Sequence, residues 1–253
     1  MIVQPNTFNM YCHREPRFYL TVVWNGQWFK WENRNTNFLY GQPDGGPTHD
    51  APQNGYLNRS RVSLDYIPRD NNHPYRPAII FRMAEAYLSY AEALNESSER
   101  MSHKQEILDN LNKIRHRAGI AEYGTGTDEN GFTRIKINFS DQKEVRRLIH
   151  KERRVEFVGE GVRYHGLRRW KTAHYGIGNL NEQGENPDWG VNGPDYGMNY
   201  YGTEYTDQGD NAFFKRTKYM DRVYPRKFYW YPIHQSEIDK DPTLVQGPFW
   251  LGE

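Results

Sequence analysis

The sequence predicts a mainly α-helical fold with long irregular loops and one small β-hairpin. Three observations predict it. Residues 78–96 and 102–118 each carry an apolar stripe at helical spacing. Residues 141–170 continue in a helical pattern that is dense in charge. Residues 33–76 and 171–211 are rich in Gly, Pro, Asn and Asp and show little periodicity, which reads as loop.

The first ordered element opens at Arg14-Glu15-Pro16-Arg17-Phe18, where Pro16 restrains Glu15 to an extended conformation. Residues 18–24 are β-branched and aromatic, and Asn25-Gly26 is a strong hairpin-turn signal. Residues 27–31 then return as a second strand. In that register Leu20, Val22, Trp24, Phe29 and Trp31 share one face, expected to be core. Tyr19, Thr21, Val23, Trp28 and Lys30 share the other, so Trp28 is the aromatic expected at the surface. Within the loop that follows, Asp44-Gly45-Gly46 is a turn, or weakly part of a calcium loop, although it lacks the ligand spacing of one.

Met83, Ala86, Tyr87, Tyr90, Ala91 and Leu94 form one stripe of the 78–96 helix, with Pro77 in its first turn. Alternating small Ala and large Tyr lets a neighbouring helix approach closely, as in a tetratricopeptide-type pair. Ser102 with Gln105 reads as a capping box for the next helix. Its stripe is Ile107, Leu111, Ile114 and Ala118, and Gly119 ends it. The two helices over 78–118 therefore form an antiparallel hairpin. A short strand is expected at 133–137, and an aromatic one at 227–233.

Ser140 is the expected cap of the organising helix, 141–170. Residues 151–170 hold five arginines and three glutamates, interrupted by Gly159 and Gly161. Val145, Leu148, Ile149, Val155 and Val158 run beside them. Charge at a packed boundary points to arginine forks paired with carboxylates and stacked on rings, a structural network rather than a catalytic one.

Glu152-Arg153-Arg154-Val155-Glu156-Phe157, Glu160-Gly161-Val162-Arg163-Tyr164 and Leu167-Arg168-Arg169-Trp170 resemble the signature of the SusD/RagB family. Arg82-Met83-Ala84-Glu85-Ala86-Tyr87-Leu88-Ser89-Tyr90-Ala91-Glu92-Ala93 and Leu111-Asn112-Lys113-Ile114-Arg115-His116-Arg117-Ala118-Gly119 extend the likeness. So do Tyr231-Pro232-Ile233 and Gln246-Gly247-Pro248-Phe249-Trp250 near the C-terminus. Two positions depart from the pattern: Gly166 replaces an aspartate, and Gly247 an asparagine. The resemblance implies a SusD-like fold, with residues 1–253 forming the C-terminal domain of a longer outer-membrane lipoprotein of Bacteroidetes. It implies non-catalytic capture of glycans or other nutrients at the cell surface, for delivery to a SusC-like TonB-dependent transporter.

Composition excludes several other classes. The net charge is +1, so neither a nucleic-acid footprint nor a polybasic membrane patch is present. Cys12 is the single cysteine, which rules out an internal disulfide or a cysteine metal cluster. No apolar run is long enough to span a bilayer, and residues 1–12 show neither a signal-peptide pattern nor a lipidation context for Cys12. The membrane link would thus be a lipid anchor outside this chain. No phosphate loop, zinc-protease motif or nucleophile elbow occurs, and the histidines lack ligand spacing. Glu85 and Glu92, seven residues apart, read as salt-bridged or solvated rather than as a catalytic pair. No enzyme activity and no cofactor are expected.

Aromatic residues make up 15% of the chain, with 19 Tyr and 7 Trp, which suits the stacking of sugar rings. Trp28, Trp189, Tyr196, Tyr200 and Tyr201 are the candidate glycan-binding residues, chosen from aromatics in exposed or loop settings. Loop packing is the competing account of each. In the alternative reading this chain docks to the transporter or forms a lid, and holds no saccharide site of its own.

Overall fold

The computed structural model describes residues 6–60, 62, 63, 71, 74, 75, 78–176 and 190–250. In chain order the elements are α1 (Pro16–Thr21), β1 (Val22–Trp24), β2 (Trp28–Phe29), β3 (Arg34–Asn35), β4 (Tyr56–Asn58), α2 (Met83–Glu96), α3 (Lys104–Arg117), α4 (Gln142–Glu156), α5 (Val162–Arg169), β5 (Gly193–Gly197), β6 (Thr217–Arg222) and α6 (Gln235–Lys240). The strands form antiparallel pairs β1–β4, β2–β3 and β5–β6. The chain divides into two compact units. The first is Met1–Arg163 with Met198–Lys215, the second Tyr164–Gly197 with Arg216–Glu253.

In the first unit α2, α3 and α4 enclose an aliphatic core in which Leu88, Ala91, Ile107, Leu111, Val145 and Ile149 are fully buried. α3 follows its sequence pattern: Ile107, Leu111, Ile114 and Ala118 face inward, and Gly119 adopts φ +66° just past its end. The expected capping box does not form. Ser102 instead donates to the Glu99 carbonyl (2.8 Å), and α3 begins at Lys104.

α2 starts later than expected, because Arg82 is extended (φ −144°, ψ 153°). Its inward face is also rotated from the predicted stripe. Ala84, Leu88, Ala91 and Leu94 are buried, while Met83 and Tyr90 are exposed. A reciprocal clamp selects this face: the Asn95 amide donates to the Gln142 carbonyl (3.2 Å), and the Gln142 amide donates to the Asn95 carbonyl (2.7 Å). Burying Asn95 with its partners leaves Tyr90 outward, while Tyr87 packs half-buried against the edge of the core.

The predicted 141–170 helix is two helices. Gly159 (φ +78°) and Gly161 (φ +79°) take left-handed backbone between α4 and α5, where a side chain would be strained. The cap is Asp141 rather than Ser140; its carboxylate accepts from the Lys143 and Glu144 N–H groups at 2.9 and 3.1 Å. Asp141→Ala should lower unfolding free energy by about 1 kcal/mol in urea titration, with Ser140→Ala near neutral.

A second, aromatic core in this unit joins Tyr11, Tyr19, Trp24, Phe38, Met198, Phe213 and Phe214. Here the predicted 18–31 hairpin fails. Pro16 occupies the first turn of α1, so residues 16–21 are helical, Leu20 is 63% exposed and Tyr19 is buried. β1 pairs with β4, and β2 with β3. Asn25-Gly26 does turn the chain, but the Asn25 amide oxygen is buried and accepts from the Phe38 N–H (2.7 Å). The Gly26 N–H donates to the Thr36 carbonyl (2.8 Å). The turn therefore delivers β2 to a later segment rather than back onto β1. Phe29, placed on the core face by the hairpin register, is exposed. The expected 133–137 strand reduces to isolated bridges Tyr123–Ile135 and Thr127–Thr133. Pro77 and the Trp31 side chain lie outside the described residues.

The second unit has a small core of Leu167, Ala173 and Tyr224, with Trp170, Val191 and Tyr229 against it. The segment 171–211, read as loop, contributes β5, and the expected 227–233 strand instead begins with a short 3-10 turn, Arg226–Tyr229. Arg168 organises this unit. It donates to the Tyr229 carbonyl (2.7 Å) and the Tyr164 hydroxyl (2.7 Å), and it lies against the Tyr164 and Tyr231 rings. Tyrosine oxygens and a carbonyl thus serve Arg168 where Gly166 supplies no carboxylate.

Candidate functional site

The charge of α4 at Glu152, Arg153 and Glu156 is buried and spent on structure. Glu152 accepts from Arg17 (2.7 Å) and Arg115 (2.9 Å). Glu156 accepts from Arg17 (3.0 Å), Arg82 and Arg117. Arg82 also forks onto Glu160 (2.9 and 2.8 Å) and lies 4.4 Å over the Phe157 ring. Burial alone would raise the Glu156 pKa, but its bonds to Arg82, Arg117 and Arg17 hold it below the ordinary carboxylate value. A carboxylate held ionised by three guanidinium groups is a poor proton donor, and two of its arginines, Arg17 and Arg82, are largely buried on carboxylates. Glu85 and Glu92 are likewise drawn into contacts, with Arg153 and His150 at 3.9 Å each.

The aromatic surface of the first unit is a different matter. Tyr40, Tyr200 and Tyr201 form a cluster with ring centroids 5.1–6.1 Å apart, and Tyr201 is 70% exposed. Local backbone contacts hold it. The Tyr40 N–H donates to the Gly202 carbonyl (2.9 Å), and the Gly41 N–H to the Gly46 carbonyl (2.7 Å). Asn199 accepts from the Tyr201 N–H (3.2 Å) and donates to the Asp210 and Ala212 carbonyls. The Tyr200 ring sits so close to Gly46 that a Cβ there would lie 2.5 Å from the ring carbon that bears the hydroxyl. Such a platform offers flat apolar faces beside hydroxyls, the chemistry that grips a sugar ring.

Of the five sequence candidates, the structure brings together Tyr200 and Tyr201. Trp28 is exposed (48%) on β2 but stacks on no described ring. Tyr196 is exposed and belongs to β5 of the second unit, under the guanidinium of Arg216. Trp189 lies outside the described residues. Tyr40 was missed; its signal was its place in the same kind of Gly/Pro/Asn loop as Tyr200 and Tyr201. The weak calcium reading fell on Asp44, whose carboxylate is taken up by protein groups. The Asp44 carboxylate takes both Arg34 prongs (2.6 and 2.8 Å) and the Asn37 N–H (2.8 Å), which outweigh burial and keep its pKa low. Among the described residues no group of three or more His, Cys, Asp or Glu is arranged to hold a metal ion.

A groove of about 880 Å³ in the first unit runs along α3, lined by Tyr87, Asn112, Lys113, His116, Glu122 and Arg134 among others. The polar groups just named have protein partners. Lys113 covers the Tyr87 ring (4.5 Å), Glu122 pairs with Arg134 (2.9 Å) and His116 (3.3 Å), and Asn112 bonds both backbone groups of Tyr123. It reads as a seam that fastens the 121–139 loop.

A helical repeat-like layer carrying long, aromatic-studded loops defines a class of binding scaffold. The chain belongs to the SusD family, whose model (SusD_RagB) matches residues 3–250. It is 31% identical over 109 residues to one SusD-like protein of Formosa agariphila, a match covering 43% of this chain and 18% of that protein. A second from the same organism is 31% identical over 103 residues, 41% of this chain and 19% of that protein. In three dimensions it is similar to a SusD-like protein of Bacteroides fragilis, with 26% identity and a TM-score of 0.67 over 97% of this chain and 40% of the other. A SusD-like carbohydrate-binding protein of the same species shares the fold at 23% identity and a TM-score of 0.62, over 94% of this chain and 42% of the other. The match thus spans about two fifths of each solved relative and less than a fifth of each curated one. Among the described residues no helix is long and apolar enough to cross a membrane.

Proposed function

We propose that this chain is a non-catalytic glycan-binding part of a nutrient-uptake protein on the outer face of the outer membrane. It captures an oligosaccharide or polysaccharide and delivers it to a SusC-like TonB-dependent transporter, as the C-terminal domain of a lipid-anchored protein. The Tyr40–Tyr200–Tyr201 platform carries this reading. Family membership and the carbohydrate-binding description of a structural relative support it.

Affinity electrophoresis through gels containing a panel of polysaccharides tests the proposal. The chain should be retarded in at least one gel, and Tyr201→Ala should weaken that retention about fivefold to tenfold, the loss of one stacking face. Tyr201 is exposed, so the variant should melt as the wild type does.

A second reading, transporter docking without a saccharide site, is favoured by one observation. Ile79, Ile80 and Phe81, leading into α2, are 54%, 96% and 60% exposed. Free mobility in every gel, together with binding to a purified SusC-like barrel, would support docking in place of the glycan platform.

A further inference from the structure

The β5–β6 ribbon of the second unit is flanked by a cation, Arg216, whose hydrogen-bonding edge takes no partner among the described residues. Arg216 is exposed, and its guanidinium carbon lies 3.7 Å above the Tyr196 ring centroid, well inside cation–π range. Its neighbours on the ribbon are neutralised: Lys218 pairs with Asp221 (2.7 Å), and Arg222 with Asp195. Arg216 makes no ion pair or hydrogen bond among the described residues. Three ribbon cations, Arg216, Lys218 and Arg222, thus face two ribbon carboxylates, Asp195 and Asp221, and the excess sits at Arg216.

A β-bulge shapes this surface. Asp195 pairs with Met220, but Tyr196 pairs with Lys218, so Tyr219 is the extra residue. Tyr219 turns its hydroxyl to Asp195 (2.9 Å), which completes that carboxylate's partners together with Arg222. Tyr196 is set beside Lys218 and under Arg216 rather than opposite a second tyrosine. Bulges re-aim side chains in this way. A guanidinium stacked flat on a ring keeps its N–H donors in its own plane, pointing past the ring edge. That fork matches the two oxygens of a carboxylate or sulfate group, and the tyrosine edge beside it offers apolar contact to the sugar that bears the group.

We propose that Tyr196 and Arg216 form a subsite for an acidic saccharide, with Arg216 gripping a carboxylate or sulfate substituent. This rests on the glycan-binding reading and assigns charge selectivity to the second unit.

The test is affinity electrophoresis of the 253-residue chain in gels of alginate, dextran sulfate and neutral laminarin. It compares wild type with Arg216→Met, Arg216→Lys and Lys240→Met, the last removing one exposed charge elsewhere. Wild type should be retarded by at least one anionic polymer: alginate alone identifies a carboxylate ligand, and dextran sulfate alone a sulfate. Arg216→Met should weaken that retention about tenfold, the scale of a lost charge-assisted fork. Arg216→Lys should restore only part of it, and Lys240→Met should leave it intact. Equal loss in Arg216→Met and Lys240→Met would reduce the effect to net charge and overturn the subsite, as would anionic retention that ignores Arg216→Met. Retention by laminarin alone would overturn the acidic subsite while keeping the glycan reading. No retention in any gel would remove both.

Discussion

Replacing Glu156 with alanine should lower the stability of the first unit by about 3–5 kcal/mol, as when one partner of a buried ion pair is removed. The Glu156 side chain is 2% exposed, and its three arginines come from α1, the approach to α2, and the end of α3. Arg17 (11% exposed) and Arg82 (20%) would keep Glu15, Glu152 and Glu160, yet each would lose a buried carboxylate. Arg117 is more than half exposed, so its share is small. The same carboxylate makes stability depend on pH. Its folded pKa is depressed below 4.5, so the folded chain binds fewer protons there than the unfolded one. Its contribution is complete above pH 4.5 and is lost as pH falls through the folded value. Glu156→Gln should therefore melt lower than wild type at pH 7 and show a shallower acid limb between pH 5 and the folded value. A wild-type melting curve for Glu156→Ala at neutral pH would mean that Arg17, Arg82 and Arg117 are solvated rather than bound as described.

What was legible in the sequence depended on whether the deciding contact was local. α3 could be read because its stripe and Gly119 are set by its own periodicity and end. For α2 the stripe read from the sequence is not the buried face. That face carries Asn95, whose clamp with Gln142, 47 residues away, no single-helix pattern contains. The Asn25-Gly26 turn was correctly seen as a turn, but its strand partner was not. The buried amide of Asn25 is held by Phe38, and Pro16 had already committed the preceding residues to a helix. The arginine–glutamate network was visible as a composition of residues beside an apolar run, because buried charge must find partners wherever it lies. The candidate site was half legible. Aromatic loops announced themselves, but exposure and mutual contact separate Tyr200 and Tyr201 from packed tyrosines such as Tyr11 and Tyr19. Arg216 gave no signal, since a cation without an ion pair among the described residues is recognised only once the neighbouring pairs are known.

Gly202→Ala should damage the tyrosine platform and the aromatic core together, at a cost of about 3 kcal/mol, the upper part of the range for overpacking. A Cβ on Gly202 would overlap the Phe213 Cα, lie 2.7 Å from its nitrogen, and lie 3.0 Å from the Ala212 carbonyl carbon. These are backbone atoms of Phe213 and Ala212, both buried, so no rotamer change relieves the overlap. The 199–203 turn must instead move away from 211–213. That movement strains the Asn199 N–H bond to the Phe213 carbonyl (2.9 Å) and the Tyr40 N–H bond to the Gly202 carbonyl (2.9 Å). The first bond seats the turn on the core, and the second fixes Tyr40 against Tyr200 and Tyr201. Melting temperature and glycan retention should therefore fall together in Gly202→Ala, whereas Tyr201→Ala should lose retention at unchanged melting temperature. The contrast separates preorganisation of the site from the ring that touches the sugar. Wild-type melting in Gly202→Ala would show that the turn has room to spare, and that the tyrosines are not positioned by this close backbone approach.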